Sequence, residues 1–235
     1  MIAVIIPAYN EEANIAAVIG AVHELKAQSG LPFVPVVIND GSSDKTGQII
    51  QNLNCVDLHL PINQGIGAAV QTGLLYAQRN NFDYAVQVDG DGQHPLNNVL
   101  LMIKAIQEQE VDVVIGSRYI ENVGYRSTFF RRLGIKYFEY LNYLLVGVRI
   151  TDNTSGLRLF NQKAISKIVD IYPDDYPEPE AIILFKKKGL KFIEIPVVMQ
   201  ERTGGTSSIT MSRSIYYMVK VSLDLIFASI SKKSK

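Results

Sequence analysis

Two aspartates separated by one glycine, Asp89-Gly90-Asp91, follow the apolar run Tyr84 to Val88 and precede Gln93 and His94. Carboxylates two residues apart at a strand end can both reach one hard cation, which takes oxygen ligands while bridging to phosphates. A metal–diphosphate site is the chemistry this spacing suits. The plain alternative is an acidic turn, because Asp and Gly populate turns for local hydrogen-bonding reasons. Two other segments combine similar groups: Pro7-Ala8-Tyr9-Asn10-Glu11-Glu12 and Asn39-Asp40-Gly41-Ser42-Ser43-Asp44. An aromatic ring there can stack on a nucleobase, and a carboxylate can accept from base or ribose donors. Taken singly, either could be only a turn and helix cap, since Asn, Asp and Ser cap helices for structural reasons.

The elements that must position these groups are legible from periodicity. Short apolar runs at Ala3 to Ile6, Pro35 to Ile38, Asp57 to Leu60, Tyr84 to Val88 and Val111 to Ile115 read as strands. Most lack alternation, as expected of strands covered on both faces. Between them, Asn14 to Gln28, Lys45 to Leu53, Ile66 to Asn80 and Leu96 to Glu108 read as helices. Alternating strands and helices give an α/β fold with a mostly parallel sheet flanked by helices. The three polar segments then share the strands' C-terminal edge, where ligands of open α/β sheets bind. In the second half, Phe129 to Val146, Asn161 to Ile171 and Ala181 to Lys188 read as helices, and Ser155 to Phe160 and Lys191 to Gln200 as strands. The proline- and acid-rich tract Tyr172 to Pro179 reads as a loop.

Length and composition narrow the classes. At 235 residues, 47% hydrophobic, with 23 acidic and 23 basic residues, the chain suits one sizeable domain plus an appendage, residues 1–210 and 211–235. Balanced charge disfavours nucleic acid as a partner. The single Cys55 forms no internal disulfide or multi-thiolate site, which fits a reducing compartment. Met1 to Ile6 reads as a buried strand and not as a leader. No run reaches the roughly 18 apolar residues of a spanning helix, because Lys220 and Asp224 interrupt Ser212 to Ile230. That tail reads as an amphipathic helix for a membrane surface or an oligomer contact.

Together with Asn63-Gln64-Gly65-Ile66-Gly67-Ala68-Ala69, Gly116-Ser117-Arg118-Tyr119, Thr154-Ser155-Gly156-Leu157-Arg158 and Arg202-Thr203-Gly204-Gly205-Thr206-Ser207, these segments resemble glycosyltransferase family 2 over about residues 2–210. Within that family the likeness is to polyprenyl-phosphate glycosyltransferases such as dolichyl-phosphate mannose synthase. The resemblance implies a GT-A fold with a Rossmann-like nucleotide-sugar-binding sheet, a nucleotide-sugar donor, Mg²⁺ or Mn²⁺, and inversion at the anomeric carbon. Residue by residue, it implies that Pro7, Tyr9, Glu11, Asp40 and Asp89 form the nucleotide site. Asp89, Asp91 and Gln93 would approach the metal, Arg202 would clamp the donor diphosphate, and Arg118 and Arg131 would meet the acceptor phosphate. Two departures stand out: Ile66 occupies a position where many relatives carry Lys, and the segment that supplies a catalytic acid reads Tyr176-Pro177-Glu178-Pro179-Glu180. Glu180 is the preferred acid, with Glu178 second.

The resemblance leaves two acceptors open. A polyprenyl phosphate is anionic and needs no base, whereas a saccharide hydroxyl must lose a proton to a carboxylate. Basic and aromatic residues from Arg118 to Tyr143, with Arg126, Phe129, Phe130, Arg131 and Arg132 among them, favour the lipid at the cytoplasmic face of a membrane. A separate small membrane protein or self-association would then keep the chain near its lipid. A UDP-sugar, with N-acetylglucosamine or glucose as the sugar, is the expected donor. A nucleotidyltransferase is disfavoured because Pro7-Ala8-Tyr9 stands where that class has a glycine-rich basic loop, and a non-catalytic nucleotide-sugar binder is disfavoured by intact Asp89, Asp91 and Arg202.

Overall fold

Strands in this chain are apolar on both faces, so they can be stable only where helices cover both sides of the sheet. The computed structural model, which describes residues 1–92, 95–120, 129–174, 177–198 and 211–230, has that arrangement. Seven strands, β1 (Ile2–Ala8), β2 (Phe33–Asp40), β3 (Val56–Leu60), β4 (Tyr84–Gln87), β5 (Val113–Ser117), β6 (Arg158–Asn161) and β7 (Phe192–Pro196), form one sheet in the order β3-β2-β1-β4-β6-β5-β7. Of these, only β6 runs against the others, pairing antiparallel with both β4 and β5. The sheet is therefore mostly parallel, as the sequence indicates.

Side chains alternate between two apolar layers. Ile2, Val4, Ile6 and Ala8 of β1 meet α1 (Ile15–Ser29) and α4 (Asn97–Glu108), through Val18, Val22, Met102 and Ile106. Ala3 and Ile5 face α3 (Ile66–Arg79), α6 (Gln162–Ile168) and α7 (Pro177–Lys187), through Val70, Leu74, Ile165 and Phe185. The short α2 (Thr46–Gln51) follows β2. A third cluster, with Phe138, Ile183, Val221 and Leu225 at its centre, joins α5 (Phe129–Val146) and α7 to α8 (Met211–Ile230). The tail helix thus packs on the main body along one face.

Two sequence expectations require correction. The tract read as a loop to Pro179 is helical from Pro177, because first-turn N–H groups have no intrahelical acceptor and proline there forfeits nothing. The run read as a strand from Ser155 begins pairing only at Arg158, since residues 151–156 are held by side chains and not by a ladder.

Strand order reverses between β1 and β4, the switch point at which a crevice opens above a parallel sheet. β1 pairs with β4 only from Ile2 to Ile5. Beyond it, Pro7 lacks an N–H at a place where that side of the ladder has already ended, so the proline is tolerated in a central strand. Antiparallel β6 starts at this same edge, so the segment preceding it also reaches the crevice.

Candidate active site

The loops after β1 and β2 are fastened to each other. Asn10 adopts φ 56°, a left-handed conformation that asparagine tolerates, and its Oδ1 accepts from the Ser43 amide at 2.9 Å. Ser42 Oγ accepts from the Asn10 amide at 3.0 Å, and Thr46 Oγ1 from the Glu11 amide at 2.9 Å. Asp44 accepts from the Glu12 amide and from Thr46; burial alone would raise its pKa, but these hydrogen bonds hold it below the ordinary value. Tyr9 is left half exposed at the rim, and Glu11 accepts from Asn14 Nδ2 at 3.0 Å. Asp40, expected in the nucleotide pocket, is buried and accepts from the backbone N–H groups of Gln64 and Gly65 at 2.7 and 2.9 Å. Its carboxylate braces the start of α3 against β2.

The Asp89-Gly90-Asp91 turn crosses directly above the end of β1. A Cβ on Gly90 would lie 2.9 Å from the Pro7 carbonyl oxygen, so glycine permits this approach. Both aspartates are partly buried. On the far side, a Cβ on Gly156 would fall 2.6 Å from Asp89 Oδ1 and 3.2 Å from Oδ2. The bare backbone of Gly156 is thus one wall of the space holding that carboxylate. Beneath it lies Gln87, fully buried, with neither side-chain polar atom hydrogen bonded among the described residues.

Residues 151–156 are set in place by a polar frame. Glu194 of β7 accepts from the amides of Thr151 and Asp152, each at 2.7 Å, and burial lifts its pKa above the usual carboxylate range despite those donors. Arg118, expected to meet an acceptor phosphate, directs Nε and Nη2 at the two carboxylate oxygens of Asp152, at 2.6 and 2.7 Å, and Nη2 also donates to Thr154. Burial alone would lower its pKa, but hydrogen bonding and charge attraction to Asp152 raise it. A bidentate fork of this kind is strong and directional. Arg118 therefore fixes the loop carrying Gly156, with Asp89 near enough to add to its field.

α7 decides between the two glutamates. Residues two apart on a helix point about 200° away from each other. Burial raises the pKa of Glu178, and its field comes from Arg158, Asp89 and Arg118, so it lies toward the crevice. Glu180, the preferred residue from sequence, instead lines a cleft with Gln71, Asp174, Lys220 and Asp224. Burial, then repulsion from Asp224 and Asp174, pushes its pKa up to about 7. Of the two glutamates, Glu178 is thus the one whose charge is felt at Asp89, while Glu180, the residue preferred from sequence, lines the other cleft. Gln93 and Arg202 lie outside the described residues, and Arg131 belongs to α5 with a side chain outside the described part.

The residues present suit a hard divalent cation. Gly156 leaves room for the Asp89 carboxylate at the strand end, and Gly90 lets the turn that carries Asp91 pass over Pro7 without a Cβ intruding. Among the described residues no group of three or more His, Cys, Asp and Glu forms a closed metal cage. A cation would take Asp89 and Asp91 from the protein and complete its shell with substrate oxygens and water, the habit of Mg²⁺ at phosphate sites. Sequence reasoning gave no role to Gln87, Asp152, Glu194 or Arg158. One signal was available: polar residues interrupting apolar runs, as Gln87 and Arg158 do, belong at the ligand edge of a strand covered on both faces.

A family model described as Glycosyl transferase family 2 matches residues 3–169. Polyprenol monophosphomannose synthase of Mycolicibacterium smegmatis is 30% identical over 228 residues, covering 93% of this chain and 84% of its own. The UDP-N-acetylglucosamine–dolichyl-phosphate N-acetylglucosaminyltransferase of Methanococcus voltae is 28% identical over 217 residues, 84% of either chain. Among solved structures, glucosyl-3-phosphoglycerate synthase from Mycobacterium tuberculosis, in complex with Mn²⁺, UDP-glucose and phosphoglyceric acid, superposes with a TM-score of 0.74 at 19% identity. That match covers 100% of this chain and 81% of the other, and the likeness is one of fold.

Proposed function

The chain belongs to glycosyltransferase family 2, and we propose that it moves a sugar from a UDP-sugar to a polyprenyl phosphate, with inversion and with Mg²⁺ or Mn²⁺, at the cytoplasmic surface of a membrane. The observation that carries this reading is the placement of Asp89-Gly90-Asp91 at the switch-point crevice, between the fastened loops of residues 9–12 and 39–46 and the wall at Gly156. The names of the two relatives above, both polyprenyl-phosphate enzymes, supply the acceptor class.

In this reading Tyr9 stacks on the base and the amide-rich loops at Asn10 and Ser43 border the ribose. Asp89 and Asp91 would hold the cation, which when bound would offset charge on the departing diphosphate. Arg202 would add a bidentate contact to the same group. An acceptor phosphate oxygen forms the bond to the anomeric carbon as the bond to the diphosphate oxygen breaks, and the electron pair leaves with the nucleoside diphosphate. No proton needs to move. The protein's contribution is then orientation and a preset field, with Arg131 available to the acceptor.

The exposed residues Tyr140 and Leu144 of α5 and Val219, Leu223, Phe227 and Ile230 of α8 form the surface we assign to lipid. No helix among the described residues is long and apolar enough to cross a membrane, so the contact would be peripheral. A separate membrane protein or a second copy of the chain could share this face.

The saccharide-acceptor alternative gains one specific observation, the placement of Glu178, with its raised pKa, toward Asp89. Both are tested by incubating the purified protein with Mn²⁺, radiolabelled nucleotide sugars and polyprenyl phosphate. Label should enter the organic phase, depend on metal, and vanish in Asp91→Asn. Glu178→Gln should leave lipid transfer within about tenfold, because a base contributes roughly 10²–10⁴-fold only where a proton is abstracted. Transfer confined to saccharides and abolished by Glu178→Gln would overturn the lipid assignment.

A further inference from the structure

A fully buried cation stands beneath the crevice and takes no part in the transfer chemistry. Arg158 opens β6, opposite Gln87 of β4 and Ile115 of β5, on the face that packs against α7. Its side chain is 0% exposed. Nε donates to the Ser155 carbonyl at 3.0 Å, and Nη2 donates to the Glu178 carbonyl at 2.6 Å. The Phe185 ring lies 5.8 Å from its guanidinium carbon. One rigid fork therefore joins two segments distant in sequence, the loop that presents Gly156 to Asp89 and the first turn of α7 that presents Glu178.

We infer that Arg158 is a positioning residue that clamps these two walls of the crevice to each other and so fixes the spacing around Asp89. The inference rests on the proposed transferase reading. Three features support it over simple core filling. An apolar layer made of Ile5, Ala85, Val113, Ile115 and Phe160 turns polar at Gln87 and Arg158, paired directly under the site. A buried charge is expensive unless its donors are used; Nε and Nη2 go to main-chain carbonyls of the two walls, while Nη1 has no hydrogen-bond partner among the described residues. The loops at Asn10 and Ser43 are fastened by their own hydrogen bonds, so the clamp acts on the transfer end and leaves the nucleotide end alone.

Lysine retains the charge but, as a single ammonium on a flexible stem, lacks the planar fork. Arg158→Lys should therefore fold, bind UDP without metal within twofold of the parent, and lose about tenfold to a hundredfold in kcat, the range for a misplacement near 1 Å. Hydrogen exchange on the same variant gives a readout independent of turnover. Amides in residues 154–157 and 178–182 should both exchange at least tenfold faster, while those in 10–14 and 42–46 keep their parent rates. Loosening of one segment only, a uniform rise across the chain, or unchanged kcat in a variant whose two segments have loosened would each overturn the clamp. A parent enzyme that transfers no sugar would instead overturn the transferase reading, and the exchange pattern would still decide the role of Arg158.

Discussion

Asp89 and Asp91 are legible in the sequence because a carboxylate pair at a strand end has few uses, and their neighbours narrow those uses further. Arg118 and Asp40 are legible there only as charges near an edge. Their partners, Asp152 34 positions on and the Gln64 and Gly65 amides 24 and 25 positions on, belong to the fold and not to any local spacing. The choice between Glu178 and Glu180 depends on the rotation of α7, which two prolines conceal. Glu180 has a different significance. Its pKa is raised from 4.5 to about 7 in the folded chain, facing Asp174 and Asp224 with Lys220 in the same cleft. The unfolded chain gives up this proton at lower pH, so folding stability tied to Glu180 is intact below about pH 4.5 and is lost as pH rises to about 7. Glu180→Gln should raise the thermal midpoint at pH 8 relative to the parent and leave it nearly unchanged at pH 4.5. A midpoint difference that is largest at pH 4.5 would contradict this.

Among the elements, periodicity locates every strand and helix that the structure describes, with shifts at the ends. What it does not reveal is how closely they approach one another. Gly67, in the first turn of α3, sits where a Cβ would fall 2.1 Å from the Asp174 carbonyl oxygen and 2.2 Å from that of Pro173. The 173–174 backbone cannot yield as a side-chain tip would. Gly67→Ala should destabilise the protein by about 1–3 kcal/mol, the usual range for overpacking, as a lower urea midpoint at unchanged slope. Equal stability would mean that the 173–174 loop moves freely. The direction of β6 is equally hidden from sequence, because a four-residue strand carries no mark of the sense in which it pairs. Its reversal places Arg158 and Gly156 at the ligand edge and not at the opposite one.

Across the whole molecule, the two-layered sheet leaves one unusual surface. Phe227 and Ile230 are 68% and 73% exposed and lie on the same helix as the buried Val221 and Leu225. The amphipathic character of this helix is readable in sequence, but which face packs on α5 and α7 is not. If the outer face meets lipid, Leu223→Glu combined with Phe227→Glu should abolish co-sedimentation with vesicles of phosphatidylcholine and phosphatidylglycerol while turnover of a short, water-soluble prenyl phosphate persists. Undiminished sedimentation would remove α8 from the membrane contact.

The hydrogen bonds that join Asn10, Ser43 and Asp44 and those that join Arg118, Asp152 and Arg158 to their loops gather on two different sets of segments. In the proposed reading, recognition of the donor's nucleotide and control of the transfer step would therefore be built as separate modules on one sheet. Such a scaffold can diversify by altering one module at a time: substitutions in the first two loops can change which nucleotide is accepted, while the geometry that governs transfer passes unchanged to the descendant.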